Sequence, residues 1–160
     1  MPTYVVFQLH GLLASWGEIA VGENRPTSDH PSRSALLGLI AGAMGIRRAD
    51  EQQHAILSRA LSFAVAVVEG GTLVRDYHTV QVPSQGKHMV GVTRRRELQN
   101  AGMNTIVSTR DYRCDAWYLA AVLVHPNNDI TDPQRLAASL RKPVFVPYLG
   151  RKSCPPALPL

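Results

Sequence analysis

Trp117-Tyr118-Leu119-Ala120-Ala121-Val122-Leu123-Val124 is apolar at every position, and His125-Pro126-Asn127-Asn128 follows it. An apolar run of this length, closed by turn residues, reads as a buried strand with apolar residues on both faces. Its neighbours in sequence fix the sheet around it. Tyr4 to Leu9 reads as a first strand, with Val5, Phe7 and Leu9 on one face and Tyr4, Val6 and Gln8 on the other. Apolar residues on both sides place it inside a sheet as well. Phe63 to Val68 is a nearly continuous apolar strand, turned by Glu69-Gly70-Gly71.

Helical segments separate these strands. One spans about Ser34 to Gly45, with Leu36, Leu37, Leu39, Ile40, Ala43 and Met44 as its apolar surface. Ser32 or Ser34 can cap it and Gly45 can stop it. Gly38 and Gly42, four apart on one face, are expected to let it approach a sheet closely. A second helical stretch covers about Asp50 to Leu61, capped by Asp50, with Leu57 and Leu61 toward the core. Asp132-Pro133 supplies a cap and a first-turn proline to another helix, whose stripe is Leu136, Ala137 and Leu140. Lys142-Pro143 ends it, and Val144-Phe145-Val146 reads as a short last strand. Leu12 to His30 reads as loop. The order is βαββαβ, an α+β, ferredoxin-like or RRM-like sheet. Right-handed crossovers put the first strand and the Trp117 strand at its centre, with both helices on one face.

Leu73 to Asp115 interrupts that order and is too long for a plain connection. Arg75 to Val82 alternates like a strand, and so does Thr105 to Arg113. Between them lies Lys87-His88-Met89-Val90-Gly91-Val92-Thr93-Arg94-Arg95-Arg96, polar and strongly basic. The segment reads as a projecting hairpin, a thumb of about residues 73–115. A hairpin without its own core gains nothing by projecting unless it grips something. Arginines with aromatics near a hairpin base suit single-stranded RNA, through phosphate neutralisation and base stacking. A solvated charge run is the plainer alternative.

Two further places concentrate anion donors. Arg25, Thr27, Arg33 and Ser34 precede or open the first helix, whose N-terminal N–H groups and dipole favour phosphate. Gly150-Arg151-Lys152-Ser153-Cys154 sets a flexible backbone beside two cations, a hydroxyl and a thiol.

The bulk numbers agree with a single domain of 160 residues and an anionic partner. There are 17 Lys and Arg against 12 Asp and Glu, a net charge of +5. Cys114 and Cys154 lie far apart without CxxC spacing, which argues for neither zinc nor a disulfide framework and makes a reduced, cytoplasmic setting the expectation. The start carries no signal-peptide pattern, and no apolar run approaches the roughly 18 residues a membrane span needs. Nucleotide-binding glycine loops, the nucleophile elbow and histidine pairs at metal spacing are all missing, so no cofactor and no metal are expected. Tyr77-His78 with Lys87-His88 is the one arrangement able to act as base, acid and oxyanion stabiliser in metal-independent RNA cleavage through the 2′-hydroxyl.

Leu12-Leu13-Ala14-Ser15-Trp16-Gly17, Arg25-Pro26-Thr27, Pro31 to Ile40, Asp76-Tyr77-His78-Thr79 and Pro147 to Pro155 occur in one order along the chain. Together they closely resemble the Cas-five family of RAMP proteins, in the form found in type I-E CRISPR Cascade. The resemblance implies one ferredoxin-like RAMP domain over residues 1–160 with a β-hairpin thumb. It implies a non-catalytic RNA-binding subunit for antiviral defence that caps the crRNA 5′ handle, its thumb packed on a Cascade backbone subunit. It further implies contact with the large PAM-recognising subunit, and only indirectly with target DNA. Relatives in type I-C systems cleave crRNA precursor, so a metal-independent endoribonuclease is the alternative. Carried over by position, the RNA-facing candidates are Arg25, Thr27, Arg33, Ser34, Tyr77, His78, Gln81, Thr109, Arg110, Tyr112, Arg151, Lys152, Ser153 and Cys154. Family members generally continue beyond the Tyr-Leu-Gly-Arg block, whereas this sequence stops at Leu160. The family's usual C-terminal extension is thus expected to be absent, leaving an exposed sheet edge or apolar patch.

Overall fold

A computed structural model describes residues 3–83, 93–97, 102–126 and 132–160. The basic tip from Lys87 to Val92 and the Asn127-Asn128 turn lie outside these. In chain order the elements are β1 (Tyr4–His10), β2 (Leu13–Ala14), β3 (Trp16–Gly17), β4 (Asn24–Arg25), β5 (Thr27–Ser28), α1 (Arg33–Ala43) and α2 (Glu51–Ala60). There follow β6 (Leu61–Glu69), β7 (Thr72–Pro83), α3 (Arg94–Glu97), β8 (Met103–Cys114), β9 (Trp117–Val124) and α4 (Pro133–Arg141).

The Trp117 strand, β9, is central: it pairs antiparallel with β1 on one side and β6 on the other. That order agrees with three strands of the expected sheet, within a mixed α and β fold whose sheets are largely antiparallel. The helices cover one sheet face. Val5, Phe7 and Leu9 of β1 and Tyr118, Ala120 and Val122 of β9 meet Leu36 and Ile40 of α1 and Leu136 and Leu140 of α4 in one core. Each fully buried Leu or Ile contributes about 1.5–3 kcal/mol by leaving water. Ser32 caps α1 by accepting from the Ala35 N–H, and Asp132 caps α4 by accepting from Arg135. Each cap stabilises its helix by about 1 kcal/mol. Gly45, at φ 79°, ends α1 in the left-handed region.

Four expectations need correction. Val144-Phe145-Val146 is not a strand. The Val144 and Phe145 N–H groups donate to the Ala43 and Gly42 carbonyls at the end of α1, the second of which also accepts from Gly45. In consequence β1 is an edge of its three-stranded sheet rather than a central strand. Apolar residues on both faces did not mean two covered faces: Tyr4 and Val6 on β1, and Trp117 and Leu119 on β9, are exposed on the side away from the helices. Residues 12–30 contain β2 to β5 instead of plain loop, because β2 and β4 find partners on β8 far along the chain. Finally, a Cβ added at Gly38 or Gly42 meets nothing within 4 Å, so these glycines open a cleft instead of a close helix–sheet contact.

The two alternating stretches of the segment read as a thumb pair with each other. β7 and β8 pair over twelve positions from Thr72↔Cys114 to Pro83↔Met103. Among the described residues no helix is long and apolar enough to cross a membrane.

Candidate nucleic-acid interface

Register along the hairpin sorts the sequence candidates by face, since directly opposed residues share a side and neighbours alternate. Arg75↔Asp111, Tyr77↔Thr109 and Gln81↔Thr105 lie on one face, whereas Val74↔Tyr112, Asp76↔Arg110 and His78↔Ser108 lie on the other. Tyr77 is 71% exposed. Tyr77 and His78 therefore point to opposite sides of the strand. Thr109 donates its hydroxyl to the Asn24 side chain at 2.6 Å, and β4 runs beside β8 with Arg25 aligned to Arg110. The Gln81 carbonyl accepts from Arg94, which ties the short basic helix α3 to the thumb.

The loop after Pro147 is fixed at the hairpin base by main-chain bonds. Ser15 donates to the Leu149 carbonyl at 3.0 Å, and Leu149 donates to Cys154 at 2.7 Å. Gly150 sits at φ 85°, where a Cβ would fall 1.9 Å from the Ser15 carbonyl oxygen. Only glycine fits that backbone and that contact. The turn aims Arg151 inward: its guanidinium lies 4.8 Å from the Tyr112 ring centroid and donates to the Arg25 carbonyl at 3.0 Å. Arg25 itself donates to the Gly22 and Asn24 carbonyls. Thus Arg25, Arg110, Tyr112 and Arg151 come together, while Lys152 and Ser153 stand exposed at the rim.

Electrostatics brace the same place. Arg75 grips Asp111 through two hydrogen bonds, at 2.8 and 3.0 Å. The hydrogen bonds from Arg75, and the charges of Arg75 and Arg151, hold the Asp111 carboxyl below its usual range against the opposing effect of burial. Nε of Arg110 and Nη1 of Arg151 are buried without a hydrogen-bond partner among the described residues.

Not every candidate reaches this surface. Thr27 is buried; its hydroxyl accepts from the Trp16 N–H at 2.8 Å and donates to the Ser28 carbonyl. Tyr112 and Cys154 are buried too, and burial pushes the Cys154 thiol up. These three form the wall behind the surface. Arg33 turns away toward β6: it donates to the Ser58 hydroxyl and carbonyl and lies over the Phe63 ring at 5.8 Å. The Ser34 hydroxyl shares a hydrogen bond with Ser32. Sequence reasoning missed Ser15, Asn24, Arg75 and Asp111. Only the alternation of Arg75 and Asp111 on two paired strands could have marked that ion pair in advance. Among the described residues no group of three or more His, Cys, Asp or Glu side chains could hold a metal ion.

Known proteins share this architecture. Residues 4–160 match the family described as CRISPR-associated protein (Cas_Cas5). The chain is 34% identical over 168 residues to the CRISPR system Cascade subunit CasD of Escherichia coli (strain K12), covering all of this chain and 70% of that protein. A solved chain of a CRISPR RNA-guided surveillance complex superposes with a TM-score of 0.71 at 31% identity, over 96% of this chain. A crystal structure of a Cas protein superposes with a TM-score of 0.61 at 26% identity, over 98% of this chain. The chain spans only 60% and 61% of those two solved chains. With the family matched from near one end to the other and the fold shared, this chain belongs to the Cas5 family of CRISPR-associated proteins.

Proposed function

We propose that this chain is a non-catalytic RNA-binding subunit of a CRISPR Cascade surveillance complex. It caps the 5′ handle of crRNA and docks against the backbone subunit and the large PAM-recognising subunit, in the cytoplasm. The observation that carries the reading is Arg151, set over the Tyr112 ring and bonded to the Arg25 carbonyl, with Arg110 opposite Arg25 in register and Lys152 exposed beside them at the base of a long hairpin. Guanidinium groups pair with phosphate oxygens and stack on planar rings, the two contacts that an RNA strand offers. The exposed Tyr77 ring lies on the opposite face of the hairpin from Arg110 and Tyr112, and offers a separate stacking platform. The likeness to CasD supplies the setting.

Opposite-facing Tyr77 and His78 weigh against RNA cleavage, because a general acid and base must reach one scissile bond together. Incubating purified protein with a repeat-containing transcript in chelator tests this. Intact RNA is expected. Metal-independent cleavage lost in Tyr77→Phe or His78→Ala establishes the endoribonuclease reading instead. Crosslinking of the assembled complex to its crRNA, mapped by residue, tests the binding surface: contacts at Arg110, Arg151 and Lys152 are expected.

A further inference from the structure

Along α1, and reaching Tyr148 and Gly150 of the loop at the thumb base, lies a cleft of about 620 Å³. Its floor is the glycine face of α1, Gly38 and Gly42, with Leu39, Ala41 and Ile46. One wall is the stretch Phe145-Val146-Pro147-Tyr148, and Arg47, Arg48 and His54 close one end. Three properties set it apart from an ordinary surface dent. The floor is open, since a Cβ at either glycine meets no atom within 4 Å. The apolar surface runs out of the cleft along Val144 and Val146, which are 66% and 84% exposed. The mouth is cationic: the exposed Arg47 and Arg48 guanidinium groups make no hydrogen bond or ion pair among the described residues, and no carboxylate lines the cleft.

We infer that this cleft docks a segment of another protein subunit, one that presents large apolar side chains next to a carboxylate. Charge complementarity selects the acidic character, because a carboxylate on the partner meets two unpaired arginines at the mouth. The apolar length selects a polypeptide over a nucleotide. Glycine and aliphatic side chains offer no hydrogen-bonding edge to a base, and consecutive exposed apolar residues extend beyond what one base covers. A segment seated on bare helix backbone matches the way small residues admit a close partner. This inference rests on the proposed membership of Cascade, which supplies the partner subunits.

The test uses the full chain co-expressed with the Cascade subunits of its own system and purified as a complex. A photo-crosslinking amino acid replaces Gly38, and the crosslinked peptide is identified by mass spectrometry. An adduct on a partner subunit, at a segment holding apolar residues beside Asp or Glu, is expected. Gly38→Leu with Gly42→Leu fills the floor and removes two helix-breaking glycines. It is expected to weaken association at least tenfold without lowering the melting temperature. Arg47→Glu with Arg48→Glu is expected to do the same, and reversal of the crosslinked partner carboxylate to Lys to restore binding. An adduct on RNA or on a second copy of this chain overturns the inference, and so does a complex that assembles normally with the floor filled. If the unaltered chain fails to co-purify with Cascade, both this inference and the proposed function fall. If it co-purifies without a partner adduct from the cleft, only this inference does.

Discussion

The Arg151 guanidinium stacks on the Tyr112 ring, with Cζ 4.8 Å from its centroid, although the two residues are 39 positions apart in sequence and lie on different elements. This stack joins the loop after Pro147 to the root of the thumb. Such a contact is worth about 0.5–1 kcal/mol when exposed and about 2 kcal/mol when desolvated. Arg151→Ala is expected to lower stability by about 1–2 kcal/mol, adding loss of the bond to Arg25. Arg151→Lys keeps the charge but loses the planar stack, and recovers only part. Urea melts of the three proteins check the ranking.

Lys152 gives the electrostatic counterpart. It is exposed and lies on the rim, so Lys152→Ala should leave stability unchanged within about 0.5 kcal/mol. If it touches a phosphate, RNA affinity falls uniformly across sequences, and the slope of log K against log salt shrinks by about one. A fluorescence titration with a handle-length RNA at several salt concentrations reads both.

Gly150 is expected to tolerate no side chain. Its φ of 85° is strained for an alanine by about 1–3 kcal/mol, and the Cβ would also strike the Ser15 carbonyl. Gly38→Ala, in open space on α1, is the contrast and should be neutral or mildly stabilising. Thermal unfolding of the pair distinguishes a backbone requirement from a general sensitivity to mutation.

Asp111 predicts an acid-sensitive root of the thumb. Its folded pKa lies below the ordinary 3.8, chiefly through the hydrogen bonds from Arg75. A carboxyl with a depressed folded pKa contributes stability that is complete above its unfolded pKa and is lost as pH falls through the folded value. Unfolding midpoints should accordingly drop below about pH 4. Asp111→Asn should be less stable at neutral pH and should lose that part of the acid dependence.

The two thiols should react at different rates. Cys154 is fully buried and its pKa is raised by that burial, whereas Cys114 is only partly covered. Iodoacetamide should modify Cys114 first in the native protein, and both at similar rates in urea. Peptide mapping at timed intervals measures the ratio.

The parts legible in the sequence were those written in local patterns. β9 begins and ends where its apolar run does, the Asp132-Pro133 start of α4 holds to the residue, and alternation on both sides of the basic tract marks the hairpin. What escaped depends on partners distant in sequence. Nothing near Thr27 reveals that its hydroxyl closes on Trp16 eleven residues away, or that Tyr112 lies behind Arg151 rather than facing solvent. Val144-Phe145-Val146 has strand composition, yet carbonyls at the end of α1 claim two of its amides. Residue type told which side chains carry charge or rings; burial decided which of them stand at the surface.

Proline placement at the end of the described chain has a consequence for self-association. Ala157 donates to the His10 carbonyl and the Pro159 carbonyl accepts from Gln8, so the tail lies against the outer side of β1. Pro155, Pro156 and Pro159 have no N–H to offer. Residues 157–159 thus occupy one end of a strand edge that no other described strand pairs, while being a poor template for a further strand. Fibre-like stacking of one molecule on the next is thereby discouraged at that end of β1.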